Sequence, residues 1–271
     1  MNRPVNAVPE QNEIVFLTHK FKLYFMALFQ SNNPVLKQSV FDKAPHLAGE
    51  TMTIRGTVNK MSFLLVMLMA AAVFSWGQFM RGSGTVMPLM IGGAFGGFVL
   101  AMIIIFKKEW SGYLAPAYAI AEGLFLGAVS AAFNAQWQGI VLQAVGLTFG
   151  TFIAMLVLYR TGVIRATERF KSIVITATMG IAIFYLIAIV LRLFHIEMPL
   201  IHSSGTFGII FSLVVVGIAA MNLILDFDMI EQGAAQGAPK YFEWYASFGL
   251  MVTLVWLYLE ILRLLSKLNR R

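Results

Sequence analysis

Seven stretches of this chain are long and apolar enough to cross a lipid bilayer, and no other feature limits its folding so tightly. They are Met61 to Met80, Val86 to Phe106, Gly112 to Phe133, Gly139 to Tyr159, Ile173 to Phe194, Gly205 to Leu225 and Trp244 to Leu265. A spanning helix needs about 20 apolar residues at 1.5 Å each. Lipid cannot bond the backbone, so every N–H and C=O must be satisfied within the segment, which favours continuous helices. Charged residues are 12% of the 271, against roughly 25% in soluble domains. The expectation is an all-α, polytopic membrane protein: a seven-helix bundle over residues 60–271, behind a cytoplasmic segment, residues 1–59, that is partly amphipathic or disordered.

The formal net charge is +7, but the basic residues lie between apolar stretches rather than in one patch, so no nucleic-acid partner is expected. They read as topology signals. Seven precede the first helix, two follow the second, four follow the fourth, and Lys240 joins the same side. Arg81, Arg192 and the tail residues Arg263, Lys267, Arg270 and Arg271 fall on the other. This balance puts the N-terminus in the cytoplasm and the tail outside, with the basic tail pulling the other way. Glu13 to Gln30, where Lys20 and Lys22 interleave with aromatics, reads as an amphipathic helix on an anionic membrane face or as an inert extension. It does not read as a signal peptide.

Small residues recur at close-packing spacing: two overlapping GxxxG pairs in Gly92 to Gly97, then Gly123 with Gly127 and Gly146 with Gly150. Packing inside the bundle is the expected use of these pairs. The chain has no cysteine, and its histidines, with His195 beside Arg192 at an interfacial helix end, are too scattered for a metal site. The HExxH, G-x-S-x-G, P-loop, Rossmann and GxGD patterns are missing, so neither an enzyme nor a resident cofactor is expected.

Carboxyls inside spans are rare and expensive, about 2.5–3.5 kcal/mol at a helix centre, so each marks a candidate site. Glu122 lies about eleven residues into the third stretch with no basic residue within a turn. Asp226 and Asp228 close the sixth and are about 200° apart around a helix, so they face different ways. Asn222, one turn before Asp226, is placed to donate to it, which makes Asp226 the inward acid and leaves Asp228, with Glu231, as a solvated end. Glu260 has Arg263 one turn on, the spacing of a local ion pair.

The segments SNNPVLKQSVFDKA (Ser31 to Ala44), MTIRGTVNKMSFLL (Met52 to Leu65), AEGLFLG (Ala121 to Gly127), LDFDMIEQGAAQGAPKYFEWYASFGL (Leu225 to Leu250) and VTLVWLYLEILRLL (Val252 to Leu265) together resemble the Bax inhibitor-1 family. The bacterial Bax inhibitor-1-like branch is the nearer likeness, from about Leu28 to the C-terminus. The resemblance implies a bundle whose last helix is wrapped by the other six, in a bacterial inner membrane. For some members it implies a pH-sensitive calcium leak governed by two aspartates. By motif these fall on Asp226 and, with LYLE standing for LYLD or LFLD, on Glu260.

A hairpin centred near residue 237 or 238 puts Asp226 level with Phe248 or Gly249, and Glu260 eleven residues deeper, about 16 Å. The two therefore do not form a direct pair. Asp226 near the cytoplasmic face, Glu122 near the middle and Glu260 in the outer third instead suggest a ladder for protons or calcium, with calcium held transiently at each. The expected partners are thus the bilayer and calcium or protons. The rival reading is a regulatory protein that engages a membrane protease or stress pathway through a membrane protein partner, without transport.

Overall fold

The computed structural model describes residues 50–194 and 205–270. Glu13 to Gln30, Ser31 to Ala44 and His195 lie outside the described residues. Seven helices follow in order: α1 Ile54–Met80, α2 Val86–Phe106, α3 Ser111–Gln136, α4 Ile140–Arg160, α5 Glu168–Leu193, α6 Thr206–Ala235 and α7 Phe242–Asn269. A single 3-10 turn, Lys108–Trp110, precedes α3. All seven are long and apolar enough to span a bilayer. An odd number of spans separates the ends: the segment before α1 and the α6–α7 turn share one side, here the near side, and Arg270 lies on the far side, its guanidinium 5.3 Å over the Trp137 ring of the α3–α4 turn.

The helix ends depart from expectation where polar residues stand. Residues 54–59 form the opening of α1, capped by the Thr53 hydroxyl, which accepts a 3.0 Å bond from the Gly56 amide. The larger departure is α6, which continues ten residues past Leu225 to Ala235. LILDFDMIEQG does not close the helix but lies within it. Most of that segment is buried against protein, Asp226 included, so the helix has no reason to stop there.

Lipid tails are as apolar as leucine, so helices in a membrane are held by close packing and polar contacts more than by hydrophobic drive. The glycine pairs show the first. A Cβ on Gly123 would lie 2.3 Å from the Leu68 carbonyl oxygen, and one on Gly127 2.2 Å from that of Ala72. Only glycine lets α1 and α3 approach so closely. Gly93 sits likewise on the Ala121 carbonyl, at 2.6 Å, joining α2 to α3. Gly92, Gly96, Gly146 and Gly150 have open space instead, so of the two overlapping pairs in Gly92 to Gly97, Gly93 with Gly97 faces inward and Gly92 with Gly96 outward.

The last helix is central. α7 packs on α1, α3, α4 and α6, and reaches α5 through Tyr185; α2 stands at the periphery, held chiefly by α3. The near end of α7 is pinned by Glu243, which is fully buried (0% exposed). Its Oε1 accepts from the Thr53 amide and hydroxyl, both at 2.9 Å, and Oε2 pairs with Lys60. The carboxylate thus occupies the N-terminus of α1, where unpaired amides and the helix dipole favour negative charge. Gly56 makes the room, because a Cβ there would lie 2.1 Å from Oε1. Lys240, at 3.3 Å, has its ammonium pKa held above the usual lysine range by the Glu243 carboxylate beside it. Two backbone bonds complete the clamp, Met52 N–H to Ala238 at 2.7 Å and Lys240 N–H to Glu50 at 3.1 Å.

Two stability predictions follow from this packing. Gly127→Ala should lower the thermal midpoint in detergent micelles, by the 1–3 kcal/mol or so of an overpacked core, whereas Gly146→Ala should leave it unchanged. Glu243→Ala should be destabilising by about 3–5 kcal/mol, as for a buried pair stripped of one member. Gly56→Ala should be comparably harmful, but the double variant should lose less than the sum, because removing the carboxylate vacates the space the new methyl needs.

Candidate functional site

The three acids of the α6 segment face three neighbours. Asp226 is 4% exposed, and its Oδ2 is one of two buried side-chain polar atoms among the described residues with no hydrogen-bond partner, Ser75 Oγ being the other. The Thr253 hydroxyl of α7 lies against its carboxyl, so Asp226 is level with Thr253 rather than with Phe248 or Gly249. The continuation of α6 to Ala235 and the turn to Tyr241 shift the hairpin register. They also set Asp226 nine residues, about 14 Å, below the near end of its helix, deeper than the sequence implied.

Asn222 does not support it. The Asn222 amide donates to the Thr178 hydroxyl at 2.8 Å and to the Ile218 carbonyl at 2.9 Å. Both its protons are committed towards α5 and its own helix, though it shares a stripe with Asp226. Asp228 is not a solvated end either: half-buried, it pairs with Lys171 of α5 at 2.9 Å and accepts from Gln232 at 2.7 Å. Glu231 is exposed, as expected, and accepts from the Tyr159 hydroxyl at 2.5 Å. Tyr159, Asp228 and Glu231 join the α4–α5 loop around Arg165 and Thr167 in lining a near-side cavity of about 330 Å³.

Glu260 is 1% exposed and fully partnered. The Arg263 guanidinium donates to both its oxygens at 2.9 and 3.0 Å, the Tyr185 hydroxyl at 2.9 and 3.1 Å, and the Trp256 indole N–H at 3.3 Å. The ion pair implied by the spacing to Arg263 is therefore present, with α5 recruited to it. One turn further, the buried Lys267 donates to the Gly208 carbonyl at 3.0 Å and the Ser212 hydroxyl at 2.8 Å, tying the far end of α7 to α6.

Glu122 occupies a different seam. A Cβ on Gly97 of α2 would lie 2.9 Å from its Oε2. One turn earlier Tyr118 packs edge-on against Phe248 of α7, with ring centroids 4.9 Å apart. Among the described residues Glu122 makes no hydrogen bond or ion pair.

The ladder is thus not assembled as a single ligand set. Asp226 lies between α6 and α7, Glu260 between α5 and α7 about 10 Å further along, and Glu122 between α2 and α3. No group of three or more His, Cys, Asp or Glu side chains close enough to hold a metal occurs among the described residues, and the three acids stand in separate seams. The sequence reading also missed Glu243, because it began the seventh helix at Trp244 and left this acid in a loop. The signal was there in three separated parts: an acid at the start of a span, Lys60 in the first turns of another, and Gly56 one turn before it.

No curated protein and no solved structure matches the chain. A family model described as Bax inhibitor 1 like matches residues 33–270, nearly the whole length. That coverage takes in all seven helices, the buried Asp226, the paired Glu260 and the Glu243 clamp, and the chain belongs to the Bax inhibitor 1 like family.

Proposed function

We propose that the protein is a pH-responsive cation leak, with calcium among the ions it passes, and that Asp226 is the carboxyl whose protonation sets its state. The observation that carries this is the unpartnered, buried Oδ2 of Asp226 beside the central helix. A carboxyl so placed persists while protonated. Once charged, it requires water or a cation at that oxygen, and carboxylate and hydroxyl oxygens such as those of Asp226 and Thr253 are the ligands calcium takes. Glu231, on the same helix and open to the near-side cavity, adds negative potential along the approach, whereas Asp228 there is balanced by Lys171.

In this state the route is shut. Leu257 and Tyr258 of α7 are buried between the level of Asp226 and that of Glu260, and Glu260 is neutralised by Arg263. Opening therefore requires α7 to shift against α5 and α6. Glu260 acts as the far-side latch that must release Arg263, and Glu122 tunes the seam where α2 meets α3.

In proteoliposomes holding a calcium indicator, flux should rise with pH as Asp226 loses its proton. Asp226→Asn should remove that pH dependence and lower flux at high pH by roughly tenfold, the ratio 1.4 kcal/mol supports. Glu260→Gln should raise basal flux by loosening the latch. Absence of flux in the native protein, together with a membrane protein that co-purifies, would overturn this reading in favour of a regulatory role.

We also place the near side in the cytoplasm of a bacterial inner membrane, because basic residues before α1, after α2 and after α4 lie there. The absence of cysteine makes single-cysteine labelling unambiguous. Ser83→Cys should react with an impermeant maleimide added to intact cells, and Thr167→Cys only after permeabilisation; the reverse pattern would invert the topology.

A further inference from the structure

On the far half of the bundle, with no acid in its lining, lies a lateral crevice of about 420 Å³. Its walls come from α1 and α4, with α3 and α7 forming the floor between them. We infer that this crevice seats one acyl chain of a phospholipid from the far-side leaflet.

Three observations point to that occupant. The first is length. On α1 the lining runs from Leu65 to Trp76, eleven residues or about 16 Å, close to half of the roughly 30 Å hydrocarbon thickness. That half is one leaflet, the depth one chain reaches. The second is dryness. The lining holds three hydroxyls, and each is committed: Ser130 and Tyr258 bond each other at 2.6 Å, and Thr148 bonds the Ala144 carbonyl at 2.7 Å. Water needs several polar partners to occupy such a space, and beyond these bonded hydroxyls the lining offers only the Trp76 indole N–H. The third is access. Met69, Val73 and Phe149 line the crevice and are also exposed on the lipid-facing surface, so it opens sideways to the bilayer rather than to water.

The mouth suits a headgroup. Trp76 lies one turn before the far end of α1, at the level where tryptophan is enriched in membrane proteins. Arg270 covers the Trp137 ring at 5.3 Å, in the turn that leads into α4 four residues before the lining residue Val141, and its cation is available to a lipid phosphate. The chain would bear on α7 at Leu254, Val255 and Tyr258, next to Glu260. Because lipid tails and the lining are alike in polarity, the preference over bulk lipid rests on dispersion contacts alone and is modest.

The test uses the full chain in vesicles containing a phospholipid with a photoactivatable diazirine midway along one acyl chain, followed by peptide mapping of the adducts. The exposed outer face of α2 at Ile91, Phe95 and Phe98 reports bulk lipid in the same molecule. Adducts per exposed residue on Leu65 to Trp76 and Val141 to Phe149 should exceed those on α2 by roughly threefold, under 1 kcal/mol at 1.4 kcal/mol per decade. Val145→Phe and, independently, Ala72→Leu should each bring the crevice to the α2 level while α2 labelling holds, which also shows the variants folded. Equal labelling of the two faces, or a parallel fall at both, would overturn the inference. So would labelling of the crevice by a small apolar diazirine but not by the chain-borne one.

Discussion

The burial of α7 on nearly every side, in a solvent that gives helices little reason to associate, is the constraint on which this structure depends. A helix at the centre of a membrane bundle must be held by contacts lipid cannot imitate, and α7 carries them along its length. Glu243 enters the N-terminus of α1, Ser247 donates to the Thr57 carbonyl at 2.9 Å, Tyr258 meets Ser130, Glu260 gathers Tyr185 and Arg263, and Lys267 reaches Gly208 and Ser212. Each contact joins α7 to another helix or lies beside one that does, and together they fix its depth and rotation.

Against that background Asp226 is the exception. Around it, buried charge is answered within the protein: Glu243 by Lys60 and Asp228 by Lys171, with Glu260 answered by Arg263. Asp226 has a hydroxyl neighbour and one oxygen without a partner. The contrast distinguishes the carboxyls that hold the bundle together from Asp226 and the likewise unpaired but less buried Glu122, and the proposed protonation switch rests on Asp226. The contrast also separates the two positions to which the family resemblance points, since Glu260 is fully partnered and Asp226 has an unpartnered oxygen, in separate seams of α7.

The number and order of helices were legible in the sequence because a bilayer demands about twenty apolar residues per span, a signal that survives any detail of packing. The helix ends were not legible. Hydropathy ends α6 at Leu225, where aspartates begin, but DFDMIEQG is buried mostly by protein, so the helix runs on and Asp226 lies deep rather than shallow. Helical geometry correctly sent Asp226 and Asp228 to different faces and correctly paired Glu260 with Arg263. It could not say which of two neighbours Asn222 would choose, because Thr178 approaches from a helix 44 residues away in sequence. Glu243 was hidden for a like reason, since its partners Thr53 and Lys60, and Gly56 that makes room for it, belong to the other end of the domain.

The central claim is that the Asp226 carboxyl itself changes protonation as the protein changes state. Infrared difference spectroscopy of the protein in lipid, stepped in pH, observes that group directly through the carbonyl stretch of a protonated acid. The account predicts one such band that diminishes as pH rises, is absent in Asp226→Asn and persists in Glu260→Gln. A band of the same size in Asp226→Asn, or none in the native protein across the range in which its conductance changes, would contradict it.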